Sequence, residues 1–289
     1  MAIVGTERLA AHIAAIEAVP SVFLIGRICE DIDAAQNEFA APERMLADPR
    51  VAALAVLTRM EDREYWVRQA VEHGKHIMCE HPVASADRAI KLGRVCKQSG
   101  LSLHLAEPFS SELDRTLRES LASTSLGTIV FASVDVFIPR DWITPKAGFG
   151  VVVEFGAPFA RLLSNCFGPI DTIYARTRSL VANRPQEDVA VVQLRFKDGM
   201  EGTLQINALG SRARVCMAVY GSTDSVVIDK DLQETDPEGL RAVYEGLGQG
   251  TEVITRSSTL VDGMLIADWI HQSARHNREV PRREVTRSG

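Results

Sequence analysis

The chain has 289 residues, 46% hydrophobic and 24% charged, with a formal net charge of −6. This is an ordinary globular composition, with enough length for two domains or one large one. The acidic balance excludes a general polyanion binder, which needs a basic surface, and no apolar run approaches membrane-spanning length.

The opening "MAIVGTERLAA" lacks a charged region followed by a signal-type apolar core and cleavage site, so export is not expected. The five cysteines (Cys29, Cys79, Cys96, Cys166, Cys216) are odd in number and form no Cys-x-x-Cys. They read as reduced and mostly buried in a cytoplasmic protein, with no visible metal site.

The first hundred residues alternate two periods. Short apolar runs "AIVG", "SVFLIGRICE", "VAALAVLT", "HIMCE" and "LSLHLAE" predict strands, several buried on both faces. Between them "RLAAHIAAIEA", "DIDAAQNEFA", "EDREYWVRQAVEHG" and "SADRAIKLGRVCKQSG" predict helices. In the third helix, Tyr65, Trp66, Gln69, Ala70 and His73 cluster at helical spacing, and Gly74 is placed for a left-handed C-cap. In the fourth, Ser85 is the expected N-cap and Gly100 the stop. Strands alternating with helices predict an α/β, doubly wound parallel sheet over residues 1–107.

After Glu107 the pattern changes. A helix, "SELDRTLRESLAS", precedes longer alternating segments: "GTIVFASVDVFIP", "IDTIYARTRSL", "DVAVVQLRFKDGMEGTLQINAL" and "ARVCMAVYGSTDSVVID". Asp198-Gly199 marks a hairpin turn, and "YGSTDSVVI" resembles a second. Residues 108–289 therefore read as an α+β domain with a large open, mostly antiparallel sheet, closed by a helix over about 260–277. One solvated sheet face suits a partner subunit.

One stretch stands out chemically. "KHIMCEHPVAS" ends an apolar run in Glu80-His81-Pro82. Proline cannot continue a central strand, so Glu80 and His81 leave its carboxyl end, where parallel sheets bind ligands. His81 reads either as an acid/base group or as a turn imidazole bonded to backbone.

Taken in order, these segments resemble the Gfo/Idh/MocA family of NAD(P)-dependent oxidoreductases over nearly the whole chain. "IVGTERLAAHIAAI" is similar to that family's first strand, glycine loop and helix. "AVEHGKHIMCEHPVA" is similar to the helix and strand carrying its Glu-Lys-Pro motif, and "DVAVVQLRFKDGMEGTLQINA" to its C-terminal sheet. The resemblance implies a Rossmann-type domain, an NAD or NADP cofactor, and a small polar, sugar- or cyclitol-like substrate, with an anionic one left open. It also implies a homodimer or higher homo-oligomer through the C-terminal sheet.

The site residues follow from the resemblance and depart from it. The cofactor set would be Gly5, Thr6, Ala10, Glu30, Thr58 and Glu80. In Gly5-Thr6-Glu7-Arg8-Leu9-Ala10 the central glycine of the dinucleotide loop is Glu7. A carboxylate about 4 Å from a phosphate would repel it by on the order of 4 kcal/mol at an effective dielectric near 20. That corresponds to about three decades of affinity. Glu7 could alternatively swing to solvent or pair with Arg8. Glu30 lies about 25 residues past Gly5, where an acid holds the ribose, and otherwise starts a helix with Asp31 and Asp33. Arg27 leaves NADP open.

The family's catalytic lysine is His81 here, so His81 and Glu80 become the catalytic candidates. In "GFGVVVEFGAPFARLL", Glu154 stands for the first acid of the family's substrate motif, Pro158 for its histidine and Arg161 for its final acid. The usual Thr-Pro-Asn-x-x-His is Thr58-Arg59-Met60-Glu61-Asp62-Arg63. Arg63, Glu154 and Arg161 are the substrate-binding candidates, with guanidinium suited to a carboxylate or phosphate. The alternative is that Arg63 and Arg161 satisfy local acids. Functionally, two expectations stand: a diverged NAD(P)-dependent oxidoreductase, or a non-redox member of the fold. The non-redox member would be a ligand-binding pseudo-enzyme or a cofactor-independent enzyme.

Overall fold

The computed structural model describes residues 1–28, 39, 41–106, 110–142, 150–180, 186–233, 236–248 and 257–282. The chain forms two compact units, Met1–Pro108 with Thr235–Val261, and Phe109–Glu234 with Asp262–Gly289.

The first unit is built on β1 (Ala2–Gly5), β2 (Gly26–Ile28), β3 (Ala53–Leu57), β4 (His76–Glu80) and β5 (Leu103–Ala106). They form one parallel sheet in the order β2-β1-β3-β4-β5, with Ala2 opposite both Gly26 and Leu54. β1 and β3 are buried throughout, as strands covered on both faces must be. Alternation sorts their side chains. Ile3, Ala55, Leu57 and Met78 pack with Ala15, Ile16 and Val19 on one face. Those last residues belong to or follow α1 (Leu9–Glu17). α3 (Met60–Glu72) lies against β3 and β4, with α4 (Ala86–Gln98) beside it. Because the chain reaches β2 on one side of β1 and β3 on the other, the carboxyl ends of β1 and β3 flank a switch point, where such sheets open a crevice.

Several local expectations need correction. Within the described residues β2 starts at Gly26, not at Ser21, and pairs with Ala2 to Val4 of β1. Tyr65 points outward at 57% exposure, while the buried stripe of α3 is Met60, Arg63, Trp66, Val67 and Ala70. Ser85 occupies the N-cap of α4 without a side-chain capping hydrogen bond. The expected helix "DIDAAQNEFA" falls almost wholly outside the described residues. Two short helices escaped sequence reading: α2 (Pro42–Ala47) and α7 (Pro237–Gly248). A boundary after Glu107 would put α7 in the second domain, whereas it belongs to the first unit. Its Leu240 and Tyr244 join the core of the first sheet beside α1.

In the second unit α5 (Ser110–Ser123) precedes β6 (Ile129–Pro139). A π-helical turn (Val152–Gly156) then runs into α6 (Ala157–Phe167). β7 (Ile170–Arg178), β8 (Val189–Phe196), β9 (Glu201–Gly210), β10 (Arg214–Gly221) and β11 (Ser225–Asp231) follow. α8 (Ser257–His276), which belongs to this unit from Asp262 onward, and β12 (Val280–Pro281) complete the described chain. The seven strands form one sheet, β11-β10-β6-β9-β8-β7-β12, antiparallel except where β6 meets β9. Period-two alternation buries Val134 and Val136, Leu204 and Ile206, and Val192 and Leu194 on one face. The other face carries Phe137, Val191, Tyr220 and Val227, all exposed, among polar residues. At the β8–β9 hairpin Gly199 adopts φ +91, and the Met200 N–H donates to Asp198 Oδ1 at 3.1 Å.

Candidate functional site

β1 ends in a glycine that cannot be replaced cheaply. Gly5 has φ +93, and a Cβ there would lie 2.3 Å from the Leu57 carbonyl oxygen. The loop thus passes directly over the end of β3, and the Glu7 N–H donates to Leu57 O at 2.8 Å. Thr6, half-buried, and Ala10, exposed in the first turn of α1, flank the residues that hold the loop.

Glu7 does not pair with Arg8. Its carboxylate binds the Arg63 guanidinium, which is itself buried. Arg63 also donates from Nε to Thr58 O at 3.1 Å, and from Nη1 to Glu80 O at 3.3 Å and Pro82 O at 2.8 Å. One side chain therefore ties the glycine loop to the carboxyl ends of β3 and β4. Arg63, a substrate candidate by sequence, commits its guanidinium to Glu7 and three carbonyls. The charge at Glu7, expected to stand against a phosphate, is neutralised within the unit.

Glu80 is the centre of a second set of ties. It is fully buried; Arg8 forms an ion pair with Oε2 and His12 Nε2 contacts Oε1. His12 Nδ1 lies 2.8 Å from the Tyr244 hydroxyl, with the rings edge-on. Burial first, and then the charge of Arg8, push the His12 imidazole down to about 3, so it is neutral at neutral pH. A carboxylate only accepts, so Nε2–H donates to Glu80 and Nδ1 accepts from the tyrosine. Burial raises the Tyr244 phenol, which keeps its proton. The order is Tyr244, His12, Glu80, Arg8. Glu80, a catalytic candidate by sequence, has its carboxylate enclosed between Arg8 and His12.

His81 follows, buried, with its N–H donating to Ala106 O at 3.0 Å and a cis bond to Pro82. Thr58, at the end of β3, has a buried Oγ1 without a hydrogen-bond partner among the described residues. Glu30 lies outside the described residues.

In the second unit Glu154 sits in the π-helical turn and Pro158 in the first turn of α6, a position that suits proline's missing N–H. Arg161 is partly buried, which lowers its guanidinium from the ordinary value. A pair not anticipated from sequence stands nearby. Glu187 Oε1 accepts from the Val152 N–H at 3.0 Å and lies 3.2 Å from His271 Nε2. Burial alone would raise the Glu187 carboxyl, but the His271 contact and backbone donors hold it below its usual value. His271 remains partly exposed, so this is an imidazole oriented by a carboxylate. No group of three residues able to hold a metal occurs among the described residues, nor a helix long and apolar enough to cross a membrane.

Residues 2–107 match the family profile described as an oxidoreductase family with an NAD-binding Rossmann fold. Residues 115–227 match the GFO/IDH/MocA C-terminal domain. The chain belongs to the Gfo/Idh/MocA family. Among curated relatives, the 1,5-anhydro-D-fructose reductase of Ensifer adhaerens is 24% identical over 221 residues, covering 72% of this chain and 65% of that protein. The chain thus spans slightly under two thirds of that relative's length. Solved structures share the fold. The WlbA dehydrogenase of Bordetella pertussis, in complex with NADH and UDP-GlcNAcA, superposes with TM-score 0.80 at 20% identity over 97% of both chains. A myo-inositol dehydrogenase homologue from Sinorhizobium meliloti gives 0.76 at 14% identity, covering 97% of this chain and 98% of that one.

Two of this chain's departures from the family pattern, Glu7 and Arg63, meet each other. Sequence reading missed His12 and Tyr244. His12 stands four residues after Arg8, on the same side of α1, which was a usable signal. Nothing local marked Tyr244, 232 residues away.

Proposed function

We propose that this protein binds NAD or NADP in its first unit and oxidises or reduces a small polar, sugar- or cyclitol-like substrate. The observation that carries the reading is the Gly5 turn held over Leu57 at the β1/β3 switch point, with the loop's one acid neutralised by Arg63. The buried Thr58 hydroxyl beside it fits a site built for a polar ligand. Gly5, Thr6, Ala10 and Thr58 would hold the dinucleotide, which supplies the hydride-exchanging centre when bound. Among the chain's own residues, His81 would move the proton. Glu80 acts as a positioning residue, fixing His12 and Arg8 behind the loop. Glu154 and Arg161 are the candidates for orienting substrate. The names of the relatives, a reductase of an anhydro sugar and a cyclitol dehydrogenase homologue, favour a polyhydroxylated substrate. A homodimer through the open face of the seven-stranded sheet completes the proposal, since that face carries exposed Phe137, Val191 and Val227. A single monomeric species in sedimentation velocity would contradict it.

One observation favours a second, non-redox reading: Pro158 offers no titratable group where the family carries a histidine. Calorimetric titration with NAD, NADH, NADP and NADPH separates the two. The redox reading expects saturable binding of one nucleotide pair, and silence at millimolar concentration would remove it. Once a cofactor and substrate are found, His81→Ala should slow turnover by at least about tenfold with cofactor affinity nearly intact. Unchanged turnover would take His81 out of the mechanism.

A further inference from the structure

Glu7 and Arg63 are 56 residues apart in sequence and differ in how firmly each is held. The Arg63 side chain is 7% exposed, and that of Glu7 is 35% exposed. Arg63 is oriented by Thr58 O, Glu80 O and Pro82 O, none of which depends on Glu7. Glu7 docks on a cation already in place. The dependence is therefore one-sided. Removing Glu7 leaves the guanidinium where it is, whereas removing Arg63 releases an unmatched carboxylate in the glycine loop.

We propose that Arg63 is a positioning residue that sets the phosphate affinity of the glycine loop by neutralising and restraining Glu7. This rests on the dinucleotide-binding reading above. It turns Glu7 from a defect of the loop into one half of a charge-matched pair. Arg63 also holds the turn at Glu80-His81-Pro82 through two carbonyls, so the same side chain fixes the loop and the candidate proton carrier to one frame.

The test is the affinity for NADH and NADPH, measured by titration on the full chain, alongside the thermal midpoint without nucleotide. Arg63→Met should weaken binding by at least about tenfold, because the carboxylate then faces the diphosphate unscreened. Glu7→Gln added to Arg63→Met should return affinity to within about threefold of the unsubstituted protein, a non-additive rescue. The midpoint should stay low in both, since the three carbonyls lose their donor in either case. That split separates charge matching from a purely structural role. Equal loss of affinity in Arg63→Met and in the double variant would overturn the proposal. Should Arg63→Met fail to fold, Glu7→Gln alone decides. Binding within about threefold of the unsubstituted protein supports the proposal, because Arg63 already cancels the charge of Glu7, and a change of about tenfold or more in either direction contradicts it. Binding by Glu7→Gln but not by the unsubstituted protein would also overturn it, showing the charge of Glu7 still in force. Binding by neither would remove the cofactor reading itself, and the proposal with it.

Discussion

The two sheets use the same ion-pair chemistry to different ends. At the carboxyl ends of β1, β3 and β4, each ion pair has one partner taken out of water, Arg63 at 7% exposure and Glu80 at 1%, and is matched across a long stretch of chain: Glu7 to Arg63, and Arg8 to Glu80. On the open face of the second sheet, Arg214 pairs with Asp229 and Arg195 with Glu201, each side chain 41–51% exposed. Desolvation makes the first set costly to break, because a partner left alone keeps its burial and loses its compensation. Water screens the second set on both sides, so little is lost when one partner goes. A pair therefore fixes geometry where one partner is shut away from solvent.

The sharpest way to break this contrast is Glu80→Ala. It strips both Arg8 and His12 of their acceptor, and should cost about 3–5 kcal/mol of unfolding free energy in urea titration. A loss near that of a surface substitution would mean that the enclosed ties are ornamental. A smaller effect concerns pH. His12 is held neutral with a folded value near 3, below its unfolded value of 6.5, so the unfolded chain binds the extra proton. Its contribution is complete above pH 6.5 and is lost as pH falls toward 3. The same holds for His104, which burial, and then His76, lower to about 4. Each histidine should add about 1.4 kcal/mol per pH unit to the slope of stability below pH 6.5. His12→Gln should flatten that slope in melts compared at pH 7 and pH 5; an unchanged slope would mean that His12 is already charged when folded. Smallest of all, Arg214→Ala should leave the unfolding midpoint where it was, and a clear drop would erase the distinction between the two regions.

The architecture was legible because it is written in short-range periodicity. Continuous apolar runs gave the parallel strands, alternation gave the open sheet, and Gly74 and Gly199 marked ends and turns that the backbone confirms with positive φ. The site was legible only where it is local. Gly5, Thr58 and His81 lie at strand ends, and strand ends can be read. The meaning of Glu7 could not be, because its partner comes from α3, and a charge read alone looks like repulsion. Likewise Tyr244 reaches His12 only because α7 returns to the first sheet, an event of chain topology that no window of residues contains. Glu187 and His271 meet in the same way, from positions 84 residues apart.

The measurement closest to the central claim is a double-mutant cycle on unfolding free energy, without any nucleotide, using Glu7→Gln, Arg63→Met and the pair. A charge-matched tie between the glycine loop and the buried Arg63 of α3 predicts a coupling energy of about 1–3 kcal/mol, with the double variant more stable than the sum of the singles. Strict additivity would contradict the account, for it would mean that Glu7 and Arg63 stand side by side without answering one another.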